Sequence, residues 1–117
     1  MTPLTITIRD AGTGPVLEIT GDLDHATVPD LRAALDGLTL AAGQLLVVDL
    51  AALDFCDSSG ISGLLAARNL ATEHGARIAL AAVPANTARV LRLVGLDRVF
   101  AIHPDATTAT APDSATG

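Results

Sequence analysis

The chain has no lysine, tryptophan or tyrosine, and only one cysteine, one methionine and two phenylalanines in 117 residues. With so few rings the core must be built from Leu, Val, Ile and Ala, and broad aromatic stacking surfaces are missing. The seven bases are all arginine and stand against thirteen acids, a net charge of −6. That balance argues against nucleic acid as a partner, because such binding draws its affinity from clustered positive charge set against phosphates. A lone Cys56 excludes an internal disulfide and a cysteine-rich metal site, and a chain otherwise free of thiols fits a reducing cytoplasm. No apolar run approaches the roughly eighteen residues of a spanning helix. The start, Met1-Thr2-Pro3-Leu4, lacks a charged segment followed by an apolar block. We therefore expect no membrane insertion and a cytoplasmic location.

What is present reads as one domain. Thr5-Ile6-Thr7-Ile8-Arg9 alternates apolar with polar, Asp10 to Pro15 supplies turn residues, and Val16-Leu17-Glu18-Ile19-Thr20 resumes strand character, which predicts a β-hairpin. After a polar loop from Gly21 to Ala26, Thr27-Val28-Pro29-Asp30 has the spacing of a capping box, so a helix begins there. Val28, Leu31, Leu35 and Leu38 share its apolar face, and Gly43 marks the exit. Leu45 to Val48 suits a central strand covered on both faces. A polar turn over Asp54 to Gly60 then leads into a helix from about Ser59 to Glu73, ending near Gly75. Arg77 to Val83 is a further strand closed by Pro84. A third helix carries Val90, Leu91, Leu93 and Val94, with Arg89 and Arg92 outward and solvated, and stops at Gly95. A short strand follows around Val99 to Ile102. The order predicts an α/β domain over residues 1–106, with a mixed sheet of four to five strands and helices packed mainly on one face. Residues 107–117, without apolar spacing, are expected to be a flexible tail.

Few constellations carry chemistry. Asp24, His25 and Ser58 include the residue types of a hydrolytic triad, but no Gly-x-Ser-x-Gly elbow occurs; the nearest string is Gly60-Ile61-Ser62-Gly63. Cys56 precedes a helix start, where a thiolate is favoured, yet a phosphate-clamping arginine is missing and Ser62 stands six residues on. A small apolar filler is the better reading of Cys56. His25, His74 and His103 are dispersed and share no ligand spacing. Gly12-Thr13-Gly14 joins two strands and is a hairpin turn, with no lysine following. These absences predict no catalysis, no metal and no cofactor. Asp57-Ser58-Ser59-Gly60 remains. One of its side chains can cap the helix, and two adjacent hydroxyls leave one free for modification.

Three blocks carry a resemblance: Gly21-Asp22-Leu23-Asp24-His25-Ala26-Thr27; Val48-Asp49-Leu50 leading to Phe55-Cys56-Asp57-Ser58-Ser59-Gly60; and Leu93-Val94-Gly95-Leu96-Asp97-Arg98-Val99-Phe100. In this order they resemble the signature blocks of STAS domains, and among these the anti-sigma factor antagonists, over residues 4 to about 105. Asp22 stands where Glu is common and Cys56 where Met is common. The C-terminal tail falls where members often have a last helix, expected to be short or absent here.

The resemblance implies a partner switch. The unmodified protein binds an anti-sigma factor that is itself a serine kinase, freeing a sigma factor; phosphorylation of the serine after the aspartate ends the contact, and a serine phosphatase is the expected counterpart. Carried over, the acceptor is Ser58, with Ser59 the cap and Asp24 and Asp57 the acids beside it. His25, Thr27, Gly60, Arg68 and Asn69 complete the expected phosphosite and partner surface. The alternative implied by the same family is an accessory subunit of a membrane transport system that binds a transporter ATPase without being phosphorylated.

Overall fold

The computed structural model of the protein describes residues 3–111. The two alternating segments form β1 (Thr5–Ala11) and β2 (Gly14–Leu23), paired antiparallel through the two-residue turn Gly12-Thr13. Three helix-and-strand units follow: α1 (Val28–Asp36) to β3 (Leu45–Cys56), α2 (Ser58–Glu73) to β4 (Arg77–Ala81), and α3 (Ala85–Leu93) to β5 (Ala101–His103). A short 3-10 turn at Leu96–Arg98 precedes β5, and α4 (Ala106–Thr110) comes last. The sheet order is β1-β2-β3-β4-β5, with every pair after the first parallel. Each new parallel strand is added on the same side of its predecessor. Crossovers of one hand then put α1, α2 and α3 on one face.

The main core lies between that helical face and the sheet. Leu17, Ile19 and Leu23 of β2 and Leu46, Val48 and Leu50 of β3 meet Leu31 and Leu35 of α1, Leu64 of α2 and Leu91 of α3. Each buried side chain of this size contributes about 1.5–3 kcal/mol, so the face supplies most of the driving force. Gly63 lets α1 and α2 approach, since a Cβ there would lie 3.0 Å from a Leu31 methyl. On the other face a smaller cluster joins Val16, Val47 and Ala81 to Ala106 and Ala109 of α4.

β2 and β3 are both longer than their apolar runs predict. β2 continues through Gly21-Asp22-Leu23, expected as loop, and β3 runs to Cys56 through residues expected as a polar turn. The pairing explains the miss: Glu18 opposes Asp49 but Thr20 opposes Ala52, and Gly21 opposes Leu53 but Asp22 opposes Phe55. Two bulges each absorb one residue of β3, so its core-facing positions are Leu46, Val48, Leu50, Leu53 and Cys56. Their spacing is two, two, three and three, which conceals the period of an ordinary strand.

Three further expectations change. α1 ends at Asp36, so Gly43 sits instead in the turn before β3, at φ +83. Of the four apolar residues expected on the third helix only Leu91 is buried; Val90 and Leu93 of α3, and Val94 just past its end, are exposed. Residues 107–110, expected within a flexible tail, belong to α4, which is anchored by two alanines and capped by Asp105 accepting the Thr108 N–H at 2.7 Å. Residues 112–117 of that expected tail lie outside the described residues.

Candidate functional site at the ends of β2 and β3

β2 and β3 finish side by side, with Leu23 opposite Cys56. The Asp57 N–H donates to the Leu23 carbonyl at 3.3 Å, tying the two strand ends together. Both chains then turn, one at Asp24 and the other at Asp57. The junction lies at the carboxyl edge of parallel strands, where open α/β sheets place their sites.

Asp57 has extended backbone and acts as the N-cap of α2: its Oδ1 accepts the Gly60 N–H at 3.0 Å. Ile61 N–H donates to the Asp57 carbonyl at 3.0 Å and starts the helical ladder. The cap is therefore Asp57, not Ser59 as the sequence predicts: α2 starts two residues earlier than a Ser59 cap requires, and the Asp57 carboxylate reaches the Gly60 donor of that first turn. Ser58 and Ser59 become the first two helical residues. Ser58 is exposed and Ser59 half-buried. Among the described residues neither hydroxyl has a hydrogen-bond partner. Their N–H groups belong to the first turn, which has no intrahelical acceptors, so the dipole and open donors there favour an anion.

Gly60 is buried against the end of β2. A Cβ there would stand 2.5 Å from both the Leu23 carbonyl oxygen and Cys56 Sγ. Glycine is thus the condition for α2 to start this close to the sheet. Cys56 is half-buried against the main core, and burial, then the neighbouring Asp57 charge, pushes its thiol up to about 12. Burial thus disfavours the thiolate at neutral pH. The apolar-filler reading of Cys56 holds.

The second turn is rigid for a different reason. Asp24 Oδ1 accepts from the Ala26 N–H at 3.0 Å and the Thr27 N–H at 3.1 Å, and lies 3.2 Å from Thr27 Oγ1. Thr27 Oγ1 also accepts from the Asp24 N–H at 2.9 Å and lies 2.8 Å from the Asp22 carbonyl as donor. Thr27 occupies the N-cap position of α1 but makes no cap bond to it, so the expected capping box does not form. Its hydroxyl serves the preceding turn instead.

The structure brings Asp24, Thr27, Asp57, Ser58, Ser59 and Gly60 to one edge, with His25 exposed in the first turn. No hydrogen bond joins His25 to Asp24 or Ser58 among the described residues. Arg68 and Asn69 do not share this edge: they lie about 15 Å along α2 from Ser58 at helical rise. Asn69 is on the exposed stripe that begins with Ser58, while half-buried Arg68 sits on its flank. Two further residues neighbour the turn that the motif does not assign to the site. Phe55, 53% exposed, stands two residues before Asp57. The exposed Ser62 donates its hydroxyl to the Ser58 carbonyl at 3.2 Å. The scarcity of aromatics could have singled out Phe55, and i, i+4 spacing could have singled out Ser62. Among the described residues no metal-binding cluster occurs, and no helix is long and apolar enough to cross a membrane.

A mixed five-stranded sheet, helices α1 to α3 on one face and an acidic serine turn at its carboxyl edge define a class of small α/β domains. The chain belongs to the STAS domain family: the family model described as "Mlab, STAS domain" matches residues 6–103. The anti-sigma-F factor antagonist RsfB of Mycobacterium tuberculosis is 30% identical over 114 residues, covering 97% of this chain and 88% of that protein. The crystal structure of an anti-sigma factor antagonist from Mycobacterium paratuberculosis matches with a TM-score of 0.79 at 27% identity, covering 92% of this chain and 93% of the other. The Bacillus cell fate determinant SpoIIAA in its phosphorylated form shares the fold, with a TM-score of 0.68 at 20% identity over 90% of this chain and 96% of that one.

Proposed function

We propose that this protein is an anti-sigma factor antagonist whose contact with its partner is ended by phosphorylation of Ser58. The observation that carries the reading is that Asp57 takes the cap, which leaves the exposed Ser58 hydroxyl uncommitted at the start of α2. The names of its relatives, RsfB above all, supply the partner class, an anti-sigma factor; in this proposal that partner is also the serine kinase, and a serine phosphatase resets the switch. The domain acts by binding and performs no catalysis.

Phosphorylation adds about −1.5 to −2 charge and three acceptor oxygens at one point. Within the domain the helix N-terminus favours that anion by about 0.3–1 kcal/mol, so the fold tolerates it. Toward a partner the same dianion must shed water beside Asp24 and Asp57. A loss of about 2.8 kcal/mol weakens binding a hundredfold, and one unpaired desolvated phosphate supplies it. The surface offered combines the Asp24–Thr27 turn, with exposed His25, the Asp57 to Gly60 turn and the α2 stripe toward Asn69, with Arg68 on its flank.

The test is incubation with the candidate kinase and ATP, followed by intact mass and site mapping. One phosphate on Ser58 is expected in the parent and none in Ser58→Ala, which binds constitutively. Ser58→Asp loses the complex and keeps the parent's thermal stability. Label on Ser59, or a Ser58→Asp variant that binds normally, contradicts the proposal. The transport-subunit reading requires no hydroxyl and is favoured if Ser58→Ala and Ser58→Asp bind a transporter ATPase equally.

A further inference from the structure

The part of the molecule that the switch does not use is α3 and the 3-10 turn after it. Leu93 is 75% exposed and Val94 60%, and Val90 and Val99 are exposed as well. Val90, Leu93 and Val94 have the i, i+3, i+4 spacing of one helical ridge, the form in which a helix packs against another. The core gains nothing from them, since Leu91 alone fills its place under α3. Arg89 and Arg92 stand next to these residues on α3, and the exposed Arg98 follows in the 3-10 turn. Residues 85–99 hold these three arginines against Asp97 only, a local net of +2, whereas the whole chain carries −6. Among the described residues the only ion pair is Arg9 with Glu18, so no carboxylate neutralises the three. Arg92 in the last turn complements the dipole of α3, but that benefit does not extend to an exposed leucine beside it.

We propose that this ridge is a second docking surface, for an acidic amphipathic helix of a partner protein. Charge selects this occupant. A second copy meeting it symmetrically would set Arg89, Arg92 and Arg98 against themselves. An anionic membrane would repel the remaining −8 of the chain as it approached. Strand addition at the β5 edge is a poor competitor, because β5 has three residues and few backbone groups to pair. An acidic helix instead pairs its carboxylates with the arginines while its apolar stripe covers Leu93 and Val94. The surface does not include Ser58, so its occupancy does not depend on phosphorylation.

The experiment uses the full chain and a synthetic helical peptide of Leu, Ala and Glu, with leucines at i, i+3, i+4 and i+7 and glutamates on both flanks. Titration is followed by backbone amide shifts. Saturable shifts confined to α3 and the 3-10 turn are expected, with binding weakened at least tenfold in Leu93→Ser/Arg92→Glu and weakened by salt as the screening length falls from about 10 to 3 Å. The peptide with Gln for Glu binds more weakly, and that with Lys does not bind. The proposal is overturned by shifts that fall on α2, by binding the double variant retains, or by no saturation at about millimolar peptide. It is equally overturned if sedimentation shows that the parent is a dimer which the double variant breaks, or if anionic phosphatidylglycerol vesicles bind through these residues and the peptide does not. Leu93 and Arg92 are both exposed, and unchanged thermal unfolding verifies that the variant is folded.

Discussion

The Asp57 carboxylate holds the Gly60 N–H at 3.0 Å and arches over the two serines between them. One acidic side chain thereby fixes where α2 begins and, among the described residues, leaves the Ser58 hydroxyl without a hydrogen-bond partner. The cap and the candidate acceptor are adjacent residues with separate tasks.

Removing the cap tests that separation. Asp57→Ala is expected to lower stability by about 1 kcal/mol, the usual cost of a lost N-cap, and Asp57→Ser to recover most of it. Urea unfolding measures both. If Asp57→Ala were neutral while Ser59→Ala was destabilising, the cap would be Ser59 after all.

Gly60→Ala tests the close approach of α2 to β2. In an open helix the change would stabilise by about 0.5–1 kcal/mol. Here the added methyl meets the Leu23 carbonyl and Cys56 Sγ at 2.5 Å, and overpacking costs about 1–3 kcal/mol. A drop in the unfolding midpoint is expected. Cys56→Ala relieves only the sulfur contact, so the double variant recovers only part of the loss.

Cys56 links the site to pH. Its thiol is raised from an ordinary 9.0 to about 12 in the fold, so the neutral form is favoured there. The sign follows: this contribution to stability is full below about pH 9, where the unfolded chain also keeps its thiol protonated, and is lost between pH 9 and 12. Cys56→Ser removes that part of the alkaline decline. At pH 8 the native thiol alkylates slowly and only through opening, so its rate with iodoacetamide rises in step with added urea.

Asp105 behaves oppositely. Hydrogen bonds from Thr108 hold its carboxyl below the ordinary aspartate value, so its cap on α4 is present above that value and is lost as pH falls through the depressed one. Hydrogen exchange at Thr108 and Ala109, corrected for intrinsic rate, is expected to lose protection with acid, and Asp105→Ala to lose it at neutral pH. Ala109→Gly loses a buried methyl, worth about 0.8 kcal/mol, and frays the same helix.

Much of this architecture is legible in residue order. Alternating Thr and Ile announce the hairpin, Leu45 to Val48 the central strand, and Ile61, Leu64 and Gly75 the run of α2 to within a residue at its start. The misses have a common cause. β3 beyond Val48 looks like a turn because its bulges replace a period of two with steps of three, and pairing with β2 supplies what the pattern hides. The apolar residues of α3 look like core because composition cannot distinguish a ridge facing the sheet from one facing outward. The alanines of α4 are too small to signal burial, and only Val16, Val47 and Ala81 opposite them decide it.

By itself the amino-acid order determined the α/β class, the strand and helix sequence, the Asp-Ser-Ser-Gly turn and the family resemblance, because these rest on local periodicity and short-range chemistry. Which residue caps α2, where Thr27 spends its hydroxyl, why Gly60 has no side chain and which face of α3 remains uncovered were decided only in three dimensions. Each depends on the end of one strand meeting another, or on a sheet offering only so much surface to cover. Such contacts join residues far apart in the chain, and no spacing along it encodes their distance.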